Sequence, residues 1–170
     1  MKQTIALVLA LLLVLSFVSC GGENPPEDGA KTYTFIKDGT EIAIAAETAP
    51  ILSALGKELD YDESNSCYFT GMDKIYVYAG FEIHTYPDEN GKGDRVNRVV
   101  LLDDTVETRE GIHIGSSEAD VRVAYGEPTQ TDDVSFLYRG KDMYLKIFME
   151  NGIVDLIQYL HPQATTITES

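Results

Sequence analysis

Apolar and polar positions alternate with a period of two over much of the chain, and twice they switch to a spacing of three and four. Alternation predicts strands over 67–70, 74–78, 81–86 and 95–102, then over 135–138, 143–149 and 153–160. Ahead of them, 32–37 and 41–45 flank Asp38-Gly39 and read as an opening hairpin. The first helical stripe is Ile51, Leu52 and Leu55, with Thr48 as its cap, Pro50 in its first turn and Gly56 as its stop. The second is Val121, Ala124 and Tyr125. Ser117 with Asp120 forms a capping box ahead of it, Gly126 ends it in a left-handed conformation, and Pro128 prevents its resumption. Glu89-Asn90-Gly91 and Glu150-Asn151-Gly152 both mark hairpins, because Asn-Gly suits a turn with positive φ at its two central residues.

The two helical stretches align at a lag of about seventy. Ile42 falls on Ile112, Ile44 on Ile114, Ile51 on Val121, Ala54 on Ala124 and Gly56 on Gly126. Repetition at fixed spacing is the signature of duplicated units. The expected fold class is therefore α+β, as two tandem repeats, 31–104 and 105–162, each a short helical segment packed on an antiparallel β-meander.

The second copy, Gly111-Ile112-His113-Ile114-Gly115-Ser116-Ser117-Glu118-Ala119-Asp120-Val121 with Tyr125-Gly126-Glu127-Pro128, resembles the repeat motif of the β-lactamase-inhibitor-protein-like fold. It is also similar to small lipoproteins of the outer-membrane assembly machinery, which carry one such unit. In the first copy Ala45-Ala46 stands where Gly115-Ser116 stands, so its helix start departs from the motif. The resemblance implies helices on one face of an antiparallel sheet, tandem units with an open sheet surface, protein binding and no catalysis.

The N-terminus changes the picture of where the chain works. Lys2 precedes an unbroken apolar run over 5–15, too short to span a membrane and suited to a signal-peptide core. The run ends in Ser16-Phe17-Val18-Ser19-Cys20-Gly21-Gly22, which resembles a bacterial lipobox with Phe17 where Leu is usual. The resemblance implies cleavage before Cys20 and a diacylglycerol on its thiol. The expected organisation is a lipoprotein signal peptide over 1–19, a flexible tether over 20–30, the two units, and a polar tail over 163–170. The expected location is the extracytoplasmic side of the cell membrane.

Twenty-eight acidic against 13 basic residues give a net charge of −15. That balance offers no basic excess to neutralise phosphates and excludes a nucleic-acid binder. After acylation of Cys20 the other cysteine, Cys67, has no disulfide partner, and Tyr68 and Phe69 beside it suggest a buried strand position. His84, His113 and His161 lack the spacing of a metal pair, and His113 alternates with Ile112 and Ile114 as if pointing to solvent from a strand. Asp88 to Asp94 looks like a calcium loop, but Lys92 takes a ligand position and Val99 stands where the bidentate Glu belongs. The acidic groups at 60–63 and 103–110 read as solvated faces. No metal, cofactor or catalytic residue is expected, and the chain is not expected to be an enzyme.

The tyrosines carry the functional expectation. If Ile75 and Val77 face the helices, Tyr76 and Tyr78 point to the other side of the sheet, and alternation adds Tyr86, Tyr144 and Phe148 to that side. Tyr-rich surfaces favour protein partners. The expected function is a lipid-anchored, non-catalytic module binding an envelope or extracellular protein through this open face. One alternative is an inhibitor of a secreted or envelope enzyme such as a β-lactamase or protease. The other is a small hydrolase or ligand-binding enzyme.

Overall fold

The computed structural model describes residues 31–165. The expected signal peptide, the expected lipidation site Cys20, the expected tether and residues 166–170 of the expected polar tail lie outside the described residues.

The chain opens with a hairpin of β1 (Phe35–Lys37) and β2 (Thr40–Ile42), followed by α1 (Thr48–Leu55). A meander follows, of β3 (Asp60–Asn65), β4 (Met72–Tyr78), β5 (Phe81–Pro87) and β6 (Asp94–Leu101). After α2 (Glu118–Tyr125) come β7 (Gln130–Thr131), β8 (Ser135–Gly140), β9 (Met143–Glu150) and β10 (Ile153–Leu160), and a turn of helix, α3 (Pro162–Thr165). Among the described residues no helix is long and apolar enough to cross a membrane.

The expected fold class is overturned here. The chain does not form two tandem helix-on-meander repeats; it is a β-rich fold built on one eight-stranded antiparallel sheet, in the order β3-β4-β5-β6-β10-β9-β8-β7. The seam is the pairing of β6 with β10, where Leu101 faces Ile157 and Val99 faces Tyr159. Left apart, each of these apolar strands would present a row of unpaired backbone groups, and pairing satisfies both rows at once. The core is equally undivided. Ile51 of α1, Val121 and Tyr125 of α2, Phe35 and Ile42 of the hairpin, and Ile83, Val99, Leu145 and Ile157 of the sheet form one buried cluster. Tyr33, ahead of the hairpin, packs edge-on against Tyr125 and Tyr138 in the later half of the chain.

Local helix signals survive this correction, with two refinements. Ser117 caps α2 in the expected box with Asp120, whereas Thr48 does not cap α1. Glu47 holds the cap position without a side-chain bond, and the Thr48 hydroxyl donates to the Asp94 carbonyl. Gly56 and Gly126 both end their helices at positive φ, 79° and 81°, but with extended ψ of −156° and −158° rather than the left-handed helical value. That region is essentially open to glycine alone.

Other local expectations fail for identifiable reasons. Asn151 and Gly152 take the paired positive φ of a tight hairpin, but at Asn90-Gly91 only the glycine does, within a longer loop closed by the Asp88 N–H donating to the Gly93 carbonyl. Cys67 is exposed and lies in a loop of bends, not in a buried strand. His113 lies in the loop before α2, and its Nδ1 is 2.8 Å from the Ile114 carbonyl. The acidic group at 60–63 is solvent-exposed as expected, but it lies in the edge strand β3. Every residue of β3 is exposed, so no burial pattern betrays it.

Candidate functional site

The helices α1 and α2 pack on one face of the sheet, and the side chains of the opposite face follow from the register. One row across that face reads Asp60, Val77, Glu82, Val100, Gln158, Lys146, Leu137 and Gln130. The adjacent row reads Asp62, Ile75, His84, Arg98, Leu160, Tyr144 and Arg139. Directly paired residues share a face, so each row is a line of neighbouring side chains.

Tyr86, Tyr144 and Phe148 stand on this helix-free face, half-buried. Tyr76 and Tyr78 do not, and their expected placement is corrected. Tyr78 pairs with Phe81 across the two-residue turn Ala79-Gly80, and Tyr76 pairs with Ile83. A turn of two residues keeps its flanking pair on one side, so the inward Phe81 and Ile83 bring both tyrosines inward. Tyr78 is 8% exposed, stacks on Phe81 at 5.1 Å and donates its hydroxyl to the Gly56 carbonyl. Tyr76 packs at the margin of the core, with the Tyr61 ring 5.2 Å away.

The three aromatic rings that do face outward are held in place. Tyr86 stacks on Phe69 at 5.0 Å and meets the His161 ring at 5.5 Å, beside a shallow cleft of about 270 Å3 that Asp88, Asn90 and Arg95 also line. The Arg139 guanidinium sits 5.6 Å from the Tyr144 ring, and the Lys146 ammonium 4.8 Å from the Phe148 ring. Cations so placed are attracted by the ring quadrupole and restrict its motion.

The centre of the face is apolar below and charged above. Val100 and Leu160 are 5% and 4% exposed yet stand apart from the helix-side cluster, so the longer side chains around them close over them. His84 Nε2 lies 2.9 Å from Glu82 Oε2. Burial lowers the His84 pKa against the raising effect of that bond, and burial also lowers Arg98, whose Nε has no hydrogen-bond partner. Burial raises Tyr86. A His–Glu pair can move a proton, but the residues flanking His84 across the sheet are Ile75 and Arg98, neither of them a nucleophile.

Among the described residues no group of three or more His, Cys, Asp or Glu side chains comes together to hold a metal ion. A hollow beside α2 gathers His113, Ser116 and Asp120, but the Ser116 hydroxyl accepts the His113 backbone N–H and Asp120 is taken up by the Ser117 cap. These groups stabilise a turn and a helix start rather than form a relay.

Arg98 and Arg139 were not singled out in the sequence. The face of Arg98 is hidden by a bulge. His84 pairs with Arg98 while Thr85 pairs with Val96, so Asn97 is an extra residue and simple alternation along β6 fails. Compared with protein-family models, curated proteins and solved structures, the chain has no significant match.

Proposed function

We propose that this chain is a non-catalytic protein-binding module of the bacterial cell envelope, anchored by lipid on Cys20 and engaging its partner through the helix-free sheet face. The observation that carries the reading is the trio Tyr86, Tyr144 and Phe148. They are half-buried aromatic rings on a face that neither α1 nor α2 covers, with Gln163 of the short α3 at the cleft beside Tyr86, and each is pre-positioned by a stacked ring or a cation. Aromatic and Arg side chains dominate binding hot spots, and rings already fixed lose little entropy on association. The lipobox-like run at 16–22 supports the anchor, and a tethered body with an open face suits capture of a neighbour at the membrane.

Site-specific photo-crosslinking in living cells tests the reading. A benzophenone side chain in place of Tyr86 or Tyr144 should give a protein adduct, and one in place of Val123, 88% exposed on α2, should not. Adducts from position 123 alone would move the binding surface to the helices. For the anchor, mass spectrometry of the membrane fraction should find a diacylglyceryl group on an N-terminal Cys20. An unmodified chain released to the medium would overturn it.

A further inference from the structure

We propose that the body stands on the membrane that holds its lipid, set on one end of the sheet. There Lys31 and the loops 66–71, 88–93 and 141–142 meet anionic headgroups, and the opposite end points away. This rests on reading Cys20 as the lipid anchor, and it adds the second contact that fixes how the anchored body is turned.

The inference begins from where the tether leaves the body. Lys31 is the first described residue, and its carbonyl accepts the Lys141 N–H at 2.7 Å. Gly140 makes room for that approach, since a Cβ there would stand 2.9 Å from the same oxygen. Two residues on, Tyr33 packs against Tyr125 and Tyr138, so the exit is pinned at the β8–β9 turn. Ten residues separate Lys31 from Cys20, a reach of at most about 35 Å at full extension. Of the two ends of the sheet, a lipid on Cys20 brings this one nearest the bilayer.

Charge is divided along the strands in the same sense. In the loops around the exit Lys31, Lys92 and Lys141 are exposed, against Glu89 and Asp142, while Asp88 is closed by Arg95 at 2.7 Å. At the opposite end the loops carry Glu58, Asp103, Asp104, Asp132 and Asp133 against Lys57. With 28 acidic residues to 13 basic, the chain as a whole is repelled by an anionic surface, and the exit end is where its loops are balanced. Strands β6 and β10 each run eight residues, which at about 3.3 Å per residue holds the acidic loops roughly 25 Å away. Screening over about 8 Å at physiological salt suppresses repulsion at that distance, while lysines in contact keep their attraction.

The third observation is aromatic. Loop 66–71 joins β3 to β4 at the same end as the exit, because the register runs Asn65 to Met72, Pro87 to Asp94 and Gly140 to Met143 at successive turns. Tyr68 in this loop is 72% exposed, next to Phe69, which stacks on Tyr86. Tyrosine settles at the headgroup level, where its ring meets apolar chains and its hydroxyl meets water. Each of these contacts is weak, and a short tether supplies the local concentration that weak contacts need. Standing on this end leaves the helix-free face open to the side, within reach of a neighbour in the same membrane.

Cys67 supplies the test, being exposed in the 66–71 loop and the one thiol left once Cys20 is acylated. The full-length chain purified from membranes is labelled there with a nitrobenzoxadiazole fluorophore. It is then reconstituted into vesicles of equal parts phosphatidylglycerol and phosphatidylcholine with a trace of nitroxide-headgroup lipid. A second chain, Cys67→Ser with Asp104→Cys, carries the label at the acidic end. Quenching at position 67 should exceed that at position 104 about twofold or more, since roughly 25 Å separates the two ends. In phosphatidylcholine alone, which needs no variant, the excess should fall by about half or more, and so should it in Lys31→Glu, Lys92→Glu, Lys141→Glu on anionic vesicles. Equal quenching at the two positions overturns the proposal and, if the chain floats with the vesicles, leaves the anchor standing. An excess at position 67 that ignores both lipid charge and the lysine changes, with the thermal midpoint unmoved, also overturns it. A chain that does not float with the vesicles overturns the anchor and this inference together.

Discussion

Tyr78 and Phe81 stack at 5.1 Å, nearly parallel, across a turn of only two residues. That contact decides which side of the sheet each neighbouring aromatic occupies. It places Tyr78 in the helix-side core and leaves Tyr86, three residues along β5 from Ile83, on the opposite face.

Removing Tyr78 should therefore damage the fold, not a surface. Tyr78→Ala deletes a buried ring and its stack, and should cost about 3 kcal/mol in urea unfolding. Tyr78→Phe, which loses only the long bond to the Gly56 carbonyl, should cost about 0.5 kcal/mol. Equal losses from the two variants would contradict the packing.

Gly126→Ala should destabilise by about 1–3 kcal/mol, with Gly56→Ala similar, although no atom lies within 4 Å of a Cβ added at either site. The cost is conformational. Both residues hold positive φ with extended ψ, and each offers its carbonyl to a tyrosine hydroxyl, Tyr78 to Gly56 and Tyr138 to Gly126. Thermal unfolding reads the loss, and unchanged midpoints would mean the backbone relaxes freely there.

The capping box of α2 should be visible in acid. The Ser117 hydroxyl and then its backbone N–H hold the Asp120 carboxyl below its usual range, as Thr105 does for Asp103. A carboxyl with a lowered folded pKa contributes stability above the ordinary carboxylate range and loses it as pH falls through the folded value. Asp120→Asn should flatten the fall in thermal midpoint between about pH 4 and pH 2. A slope identical to wild type would remove the box from the account.

Alkali probes the tyrosine core. Burial pushes the Tyr138 hydroxyl up to about 12, and burial raises Tyr125 and Tyr159 further. A raised folded pKa leaves its stability intact below the unfolded value of about 10 and loses it as pH rises. Absorbance titration of the ten tyrosines should thus show a late fraction that ionises only as circular dichroism reports unfolding. Tyr125→Phe, which removes bonds to the Thr108 hydroxyl and Glu110, should cost about 1 kcal/mol at neutral pH and shrink that late fraction.

What the sequence reveals depends on the range of each signal. The Ser117–Asp120 box, the Gly56 and Gly126 stops and the Asn151-Gly152 turn are decided within a few residues, and they read correctly as helix or hairpin boundaries. The faces of β5 and β9 follow from plain alternation. The face of β4 does not, because it depends on the length of the Ala79-Gly80 turn, which couples Tyr78 to Phe81. The pairing of β6 with β10 lies beyond any local pattern, and it merges what reads as two units into one sheet. β3 escapes notice because an edge strand exposed on both faces has no apolar period to show.

The central claim, that the helix-free face serves recognition rather than stability, meets its most direct test in one paired measurement. The double variant Tyr144→Ala, Phe148→Ala is carried in a chain with a photo-crosslinker at Leu137, and adduct yield is compared with that of the unsubstituted face alongside the thermal midpoint. The account predicts that the adduct is lost while the midpoint stays within a few degrees of wild type. An adduct that persists, or a midpoint that collapses with it, would show that these rings serve the fold and not a partner.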